Sequence, residues 1–158
     1  MRVGITGHRG LSSEVEAVVR RMLDEAVFAY APDALIGVSC IADGPDAWFG
    51  QSVLRQGGRL EVVIPAEEYR DRLPDWHHPT YDHLLGHATK VHRTGRVVSD
   101  SHAHMAGSEL LVGLVDALIA VWDGQPPRGY GGTADVVAHA HVVGIPVHVL
   151  WPEGAARD

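Results

Sequence analysis

The sequence predicts an α/β fold, a three-layer sandwich with a mainly parallel sheet. Short apolar runs alternate with segments whose apolar residues recur at helical spacing. The clearest unit covers residues 117–150: an apolar strand, a loop rich in Gly and Pro, a helix that begins near Thr133, the stop signal Gly144-Ile145-Pro146, and a second strand. Such βαβ units place their two strands parallel in one sheet.

Three strands and two helices are predicted in the first part of the chain. The strands are short apolar runs at residues 3–6, 34–38 and 60–64. Ser13-Glu14-Val15-Glu16 has the form of a capping box and predicts a helix start, and Pro32 ends that helix region. Pro45 suits the first turn of the second helix. Gly57-Gly58 stops it after about Gln56.

The middle of the chain, residues 66–101, has little regular pattern. The elements predicted from there onward are a short helix at about residues 81–89, a short strand at Val97-Val98 and a helix at about residues 102–114. Together with the βαβ unit that follows, they continue the alternation that the fold class requires.

Composition limits the class of protein. The 158 residues, 46% of them hydrophobic and 21% charged, suit one domain over residues 1–158 with a proper core. The formal net charge of −7 gives no broad basic surface, so nucleic acid is not the expected partner. No apolar run approaches the length of a membrane span. The single cysteine, Cys40, excludes an intrachain disulfide and, with no leader-like first segment, predicts a cytoplasmic location.

Unusual residues cluster in three loops that follow predicted strands. These loops are Gly7-His8-Arg9, Ala42-Asp43-Gly44-Pro45-Asp46 and residues 123–133. In open α/β sheets, ligands bind along the carboxyl edge of the strands, near the point where the strand order reverses. The convergence of three such loops on one edge predicts a small-molecule site.

The third loop enters the amino end of a helix, where free N–H groups and a partial positive charge suit phosphate or carboxylate. Gly129, Gly131 and Gly132 would let the backbone approach a ligand without a Cβ in the way. Thr133 can cap the helix or donate its hydroxyl to a phosphate. The position between strand and helix favours a ligand loop over an ordinary flexible one.

Other loop residues have more than one interpretation. Arg9 can clamp a phosphate or face solvent, and its place in the loop favours the clamp. His8 can contact a ligand, act as a general acid or bond to backbone. Asp43 and Asp46 can bind ribose hydroxyls or act as a base. For Asp46, and more so for Asp135, the alternative is a carboxylate favoured by the helix dipole.

Several motifs resemble the SLOG superfamily of Rossmann-like proteins. They are GITGHR at residues 4–9, ADGPD at residues 42–46, and DALIAVWDG with GGTADVVAHA between residues 116 and 141. The match is nearest to small stand-alone bacterial SLOG proteins, and the superfamily also contains DprA and the LOG phosphoribohydrolases. The resemblance covers nearly the whole chain except residues 76–104, and it implies a Rossmann-like sandwich.

The resemblance also implies a pocket for a nucleotide or nucleotide derivative, used in sensing or carriage. The phosphate would lie at Gly131, Gly132 and Thr133, and the ribose near the second loop. The ligand-binding residues expected are Thr6, Gly7, His8, Arg9, Ser39, Asp43, Gly44, Asp46, Asp123, Gly124, Gly131, Gly132 and Thr133. No further cofactor is expected.

Two alternatives stay open. LOG enzymes carry an Arg-Lys pair before the strand and a Glu three residues after the motif's Thr; here Val136 takes the place of that Glu, and Glu109 lies near the place of the Lys. A relocated carboxylate, from Asp43, Glu109 or Asp135, can still stabilise an oxocarbenium-like transition state in an N-glycosidase acting on a nucleotide. DNA handling of the DprA type is the third hypothesis, and the acidic net charge weakens it.

Residues outside the motifs are interpreted mainly as structural. His83 and His87 are four apart, but the eleven histidines of the chain form no HExxH motif and the single cysteine is no partner, so no metal site is expected. Trp76 or Tyr81 can cover a nucleobase, although tryptophans in the core or an interface are commoner. The apolar helices leave room for a homo-oligomer.

Overall fold

The computed structural model describes residues 1–30 and 34–156 of the chain. Its strands are β1 (Arg2–Gly7), β2 (Ile36–Ser39), β3 (Arg59–Ile64), β4 (Ala88–Arg93), β5 (Ala117–Val121) and β6 (Val147–Leu150). They form one six-stranded sheet in the order β4-β3-β2-β1-β5-β6, and every pairing is parallel. The predicted fold class is therefore confirmed.

Helices cover both faces of the sheet. They are α1 (Ser13–Ala29), α2 (Pro45–Arg55), α3 (Tyr69–Arg72), α4 (His78–Gly86), α5 (Ser101–Gly113) and α6 (Thr133–Val143), with a 3₁₀ turn at Asp75–His77. On one face Leu23 of α1 and Phe49 of α2 pack against the sheet, and on the other face α5 and α6 contribute buried side chains such as Leu111 and Val136. No helix in the described part of the chain is long and apolar enough to cross a membrane.

The N-cap of the first helix lies one residue before the predicted capping box. Ser12 is the N-cap, and its hydroxyl accepts a hydrogen bond from the N–H of Val15 at 3.3 Å, so Ser13 is already helical. The predicted capping box at Ser13 is therefore displaced by one residue. The predicted helix end at Pro32 lies outside the described residues.

In the middle of the chain one predicted element is displaced and another is wrong. The helix expected at residues 81–89 begins at His78 and ends at Gly86, and the fourth strand is Ala88–Arg93 rather than Val97-Val98. β4 is an edge strand with polar, half-exposed residues, and so it lacks the apolar run by which the other strands were recognised. Val97 and Val98 are exposed, at 53% and 54%, and lie outside any strand.

The order of the strands positions the site. From β1 the chain builds outward through β2 and β3 to β4, and then returns to place β5 on the other side of β1. The strand order therefore reverses between β1 and β5, and a crevice at the carboxyl ends of these two strands is the expected place for a ligand.

Candidate functional site

A cavity of about 230 Å³ opens at the carboxyl ends of β1 and β5. The end of β1 and the loop after it form one wall, with Thr6, Gly7, His8 and Arg9. The amino end of α6 forms the opposite wall, with Gly131, Gly132 and Thr133. With Asp46, eight of the residues predicted to bind ligand thus line one cavity at the place that the strand order indicates.

The loop before α6 holds a tight backbone conformation. Gly131 has a φ of +84°, and a Cβ there would lie 2.9 Å from the carbonyl oxygen of Ser101. Its N–H donates to Oδ2 of Asp135 at 2.9 Å. Asp135, one of the three carboxylates considered for catalysis, therefore accepts from the loop and does not line the cavity.

The first turn of α6 presents donors to the cavity. Gly132 is the N-cap and provides no side chain, so Thr133 is the first helical residue and not the cap. Among the described residues, the N–H groups of Thr133 and Ala134 and the hydroxyl of Thr133 have no hydrogen-bond acceptor. A helix amino end with such donors is suited to an anion.

His8 links the loops that follow β1 and β5. Its backbone N–H donates to the carbonyl of Val121 at 3.1 Å. Its ring Nε2 lies 3.1 Å from Oδ1 of Asp123 and 3.2 Å from the backbone nitrogen of Asp123. The ring is 3% exposed and meets Trp151 edge to face, with the ring centres 5.7 Å apart. His8 therefore fixes the two loops relative to each other at the back of the cavity.

Arg9 forms an ion pair with Asp43. Its Nε and Nη2 both donate to Oδ1 of Asp43, at 3.0 and 2.7 Å. The Arg9 side chain is 47% exposed, whereas that of Asp43 is 10% exposed. Because nearly half of the Arg9 side chain remains exposed, its guanidinium can contact a bound anion while it stays bonded to Asp43.

Asp46 is the carboxylic acid of the cavity. Burial is the main reason that the pKa of the Asp46 carboxyl is raised to about 7, and the charge of the nearby Asp43 also raises it. A hydrogen bond from the N–H of Ala42 and the charge of Arg9 lower the pKa and only partly offset this shift. Near neutral pH, Asp46 is consequently present in both its protonated and its ionised form. A carboxyl group with that property can exchange a proton with a ligand.

Four further residues line the cavity that the sequence did not reveal as a group: Cys40, Tyr69, His104 and Ser108. Burial raises the pKa of the Cys40 thiol and of the Tyr69 phenol well above their usual values. Burial, and then the charge of Arg9, lower the pKa of His104. These groups are therefore uncharged at neutral pH. The i, i+4 spacing of His104 and Ser108 on one helix face was the available signal.

Several predicted ligand residues lie beside the cavity and serve the loops. The Ser39 hydroxyl donates to the Asp46 carbonyl at 2.9 Å and accepts from the Ile41 N–H at 2.9 Å. Oδ1 of Asp123 accepts from the N–H of Gln125 at 2.9 Å. Gly124 has a φ of +80°, and Glu109 is exposed on α5. Their roles in ligand binding or catalysis stay predictions. The described residues contain no group of three or more metal-binding side chains.

The chain is thus a Rossmann-like α/β protein with a polar cavity at the reversal of its strand order. Neither a protein-family model nor a curated protein matches its sequence. Its fold is nevertheless shared by several solved structures, so the Rossmann-like fold that the resemblance implied is confirmed.

Two of these structures are DNA processing protein A, or DprA. The match to DprA from Streptococcus pneumoniae has a TM-score of 0.69 and 19% identity, and it covers 99% of this chain and 52% of that one. DprA from Helicobacter pylori, described with a single-stranded DNA binding mode, matches with a TM-score of 0.71 and 16% identity over 100% of this chain and 68% of that one. The chain therefore spans about half of the pneumococcal protein.

A molybdenum cofactor binding protein has the same fold. The protein comes from the phototrophic bacterium Rippkaea orientalis and matches with a TM-score of 0.63 and 16% identity, covering 96% of this chain and 77% of that one. Proteins of this fold thus include some named for DNA and some named for a small cofactor.

Proposed function

We propose that the chain binds a nucleotide or nucleotide derivative at the carboxyl edge of its sheet, as a sensing or carrier module. The observation that carries the proposal is the first turn of α6: Thr133 lines the cavity, and its N–H and hydroxyl and the N–H of Ala134 have no acceptor in the described chain. A phosphate supplies the acceptors that these donors lack.

The charges around the cavity support an anionic ligand. Cys40, Tyr69 and His104 are uncharged at neutral pH, so they do not repel a phosphate. Arg9 adds a positive charge at the rim, which its ion pair with Asp43 partly offsets. Asp46 is the opposing group, and its raised pKa reduces its negative charge near neutral pH.

The fold matches agree with a small ligand and do not identify it. The Rippkaea orientalis protein is named for a molybdenum cofactor, and the two DprA structures are named for DNA processing. DNA handling by this chain rests on fold alone, and its net charge of −7 does not favour it. A cytoplasmic location, a homo-oligomeric state and a single domain over residues 1–158 stay predictions.

Replacement of Thr133 by Asp tests the phosphate site. Asp is well tolerated in the first turn of a helix, but its carboxylate would stand where the phosphate is expected and repel it. We expect the affinity for the tightest ligand among AMP, ADP, ADP-ribose, NAD and cyclic AMP to fall at least about tenfold, measured by calorimetry. Ala138→Asp, on the exposed side of the same helix, is the matched control and should bind as the original chain does. Equal binding by Thr133→Asp, or no binding of any of these compounds by the original chain, would overturn the proposal.

Asp46 favours a second candidate, hydrolysis of a nucleotide at its N-glycosidic bond. An acid with a pKa of about 7 inside the cavity can protonate a leaving base. The three carboxylates first considered are not placed to do so. Asp43 bonds to Arg9, Asp135 bonds to Gly131, and Glu109 is exposed. Chromatography of the same samples would detect the released base, and Asp46→Asn should abolish the release. If the nucleotides are intact after prolonged incubation, hydrolysis is overturned and binding is the remaining function.

A further inference from the structure

A second concavity of about 400 Å³ adjoins the cavity on the other side of the loop after β1. We call it the tryptophan groove. It lies between the amino ends of α1 and α2 and the 3₁₀ turn at Asp75–His77, and Trp48 and Trp76 line it. Asp43 and Gly44 of the ADGPD motif reach the groove, whereas Trp76 belongs to the segment without regular pattern.

One ion pair separates the groove from the cavity. Arg9 lines the cavity, Asp43 lines the groove, and the two side chains are bonded at 2.7 and 3.0 Å. The cavity alone, at about 230 Å³, is smaller than the roughly 300–1,000 Å³ typical of sites for small ligands. The combined volume of the cavity and the groove falls within that range, as expected if one ligand occupies both.

The groove offers aromatic surface to a planar ring. Trp76 is 73% exposed, an unusual cost for the largest apolar side chain, and its ring stands edge to face with that of His77, with the ring centres 5.9 Å apart. Most of the indole surface is therefore accessible for stacking. Aromatic stacking contributes about 1–3 kcal/mol for each base in nucleic-acid complexes.

The opposite side of the groove is rigid and polar. Arg20 lies over the ring of Trp48, with its guanidinium carbon 4.9 Å from the ring centre. The guanidinium is held by Glu16 at 2.8 Å and by the side-chain carbonyl of Gln51 at 3.1 Å. The hydroxyls of Ser13 and Thr80 also line the groove and can bond to the edge of a heteroaromatic ring.

We propose that the tryptophan groove is the subsite for the base of the same ligand whose phosphate lies at α6, with the base stacked on Trp76. This inference rests on the proposed function, and it adds that the ligand is a mononucleotide-sized molecule extending past the Arg9–Asp43 pair. The ring occupies the groove from the α1–α2 side, and the phosphate occupies the cavity from the α5–α6 side.

The test compares ribose 5-phosphate with AMP, GMP, CMP and UMP by calorimetry, because the first compound carries the phosphate and sugar without a base. We expect at least one nucleotide to bind roughly tenfold more tightly than ribose 5-phosphate, and Trp76→Ala to remove that gain while leaving ribose 5-phosphate unchanged. Trp76→Phe should retain part of it. Phe28→Ala is the matched control, because Phe28 is also 73% exposed but lies near the other end of α1.

The outcomes separate this inference from the proposed function. If nucleotides bind no more tightly than ribose 5-phosphate, or if their advantage survives in Trp76→Ala, the base subsite is overturned and the phosphate site stands. If neither ribose 5-phosphate nor any nucleotide binds, both are overturned. If Trp76→Ala weakens binding of a single-stranded oligonucleotide and not of mononucleotides, the groove serves a nucleic-acid strand and the inference is again overturned.

Discussion

The amino ends of α2 and α6 both follow a strand of the central sheet and both line the cavity, yet they differ in how well they suit a bound anion. In α2 the first residue, Pro45, has no N–H, and the second, Asp46, brings its own carboxyl group. In α6 the first two residues keep their N–H groups available, and the acidic residue, Asp135, turns back to Gly131. One helix end is therefore closed to an anion and the other is open.

The largest effect is expected at the closed end, from Asp46→Asn. Burial favours the protonated carboxyl, so between about pH 4 and pH 7 the folded chain holds a proton that the unfolded chain has lost. The free energy of unfolding therefore falls as the pH rises through this window, by up to about 4 kcal/mol from this group. Urea denaturation between pH 4 and pH 8 should show a smaller decline for Asp46→Asn than for the original chain. Parallel pH profiles for the two proteins would contradict the raised pKa of Asp46.

A smaller effect is expected at the open end, from Gly131→Ala. The positive φ disfavours any residue with a Cβ, and the Cβ would press on the carbonyl of Ser101 at 2.9 Å, so we expect the free energy of unfolding to fall by about 2–3 kcal/mol. Gly124→Ala is the matched control: its φ is +80° but nothing lies within 4 Å, and about 1–2 kcal/mol is expected there. Equal losses in the two variants would mean that the loop relaxes away from α5.

The smallest effect is expected from Asp135→Asn, which sharpens the contrast between the two acids. The amide oxygen of Asn can still accept the Gly131 N–H, but the bond is no longer charge-assisted, so thermal denaturation should register a loss of about 0.5–1 kcal/mol. A loss as large as that of Gly131→Ala would contradict this small contribution of the Asp135–Gly131 bond.

The sequence predicted those features of the fold that depend on local pattern. The apolar strands β1, β3 and β5 were found because buried parallel strands are continuous apolar runs, and the Gly-rich loop was placed correctly before α6. β4 was missed because it is an edge strand with little apolar content. The carboxyl-edge location of the cavity followed from the alternation of strands and helices together with the three loops of unusual residues.

The pairings within the site depend on contacts between distant residues, which no local pattern encodes. Arg9 and Asp43 are 34 positions apart, and His8 and Asp123 are 115 apart. The same holds for the raised pKa of Asp46, which arises from burial by neighbouring elements rather than from its place in ADGPD. The sequence offered Trp76 as a cover for a nucleobase, but Trp76 and Tyr69 lie in the segment without regular pattern, so their positions beside the site depend on the fold.

The central position of β1 has a consequence for how the chain is made. Val3 pairs with Gly37 of β2 on one side and with Ala117 of β5 on the other. During synthesis β1 can therefore pair with β2 early. Its second edge stays unpaired until β5, which begins more than a hundred residues after the end of β1, has left the ribosome. The crevice between β1 and β5 is consequently among the last parts of the molecule to form, and an exposed apolar strand edge must be kept from aggregation until then.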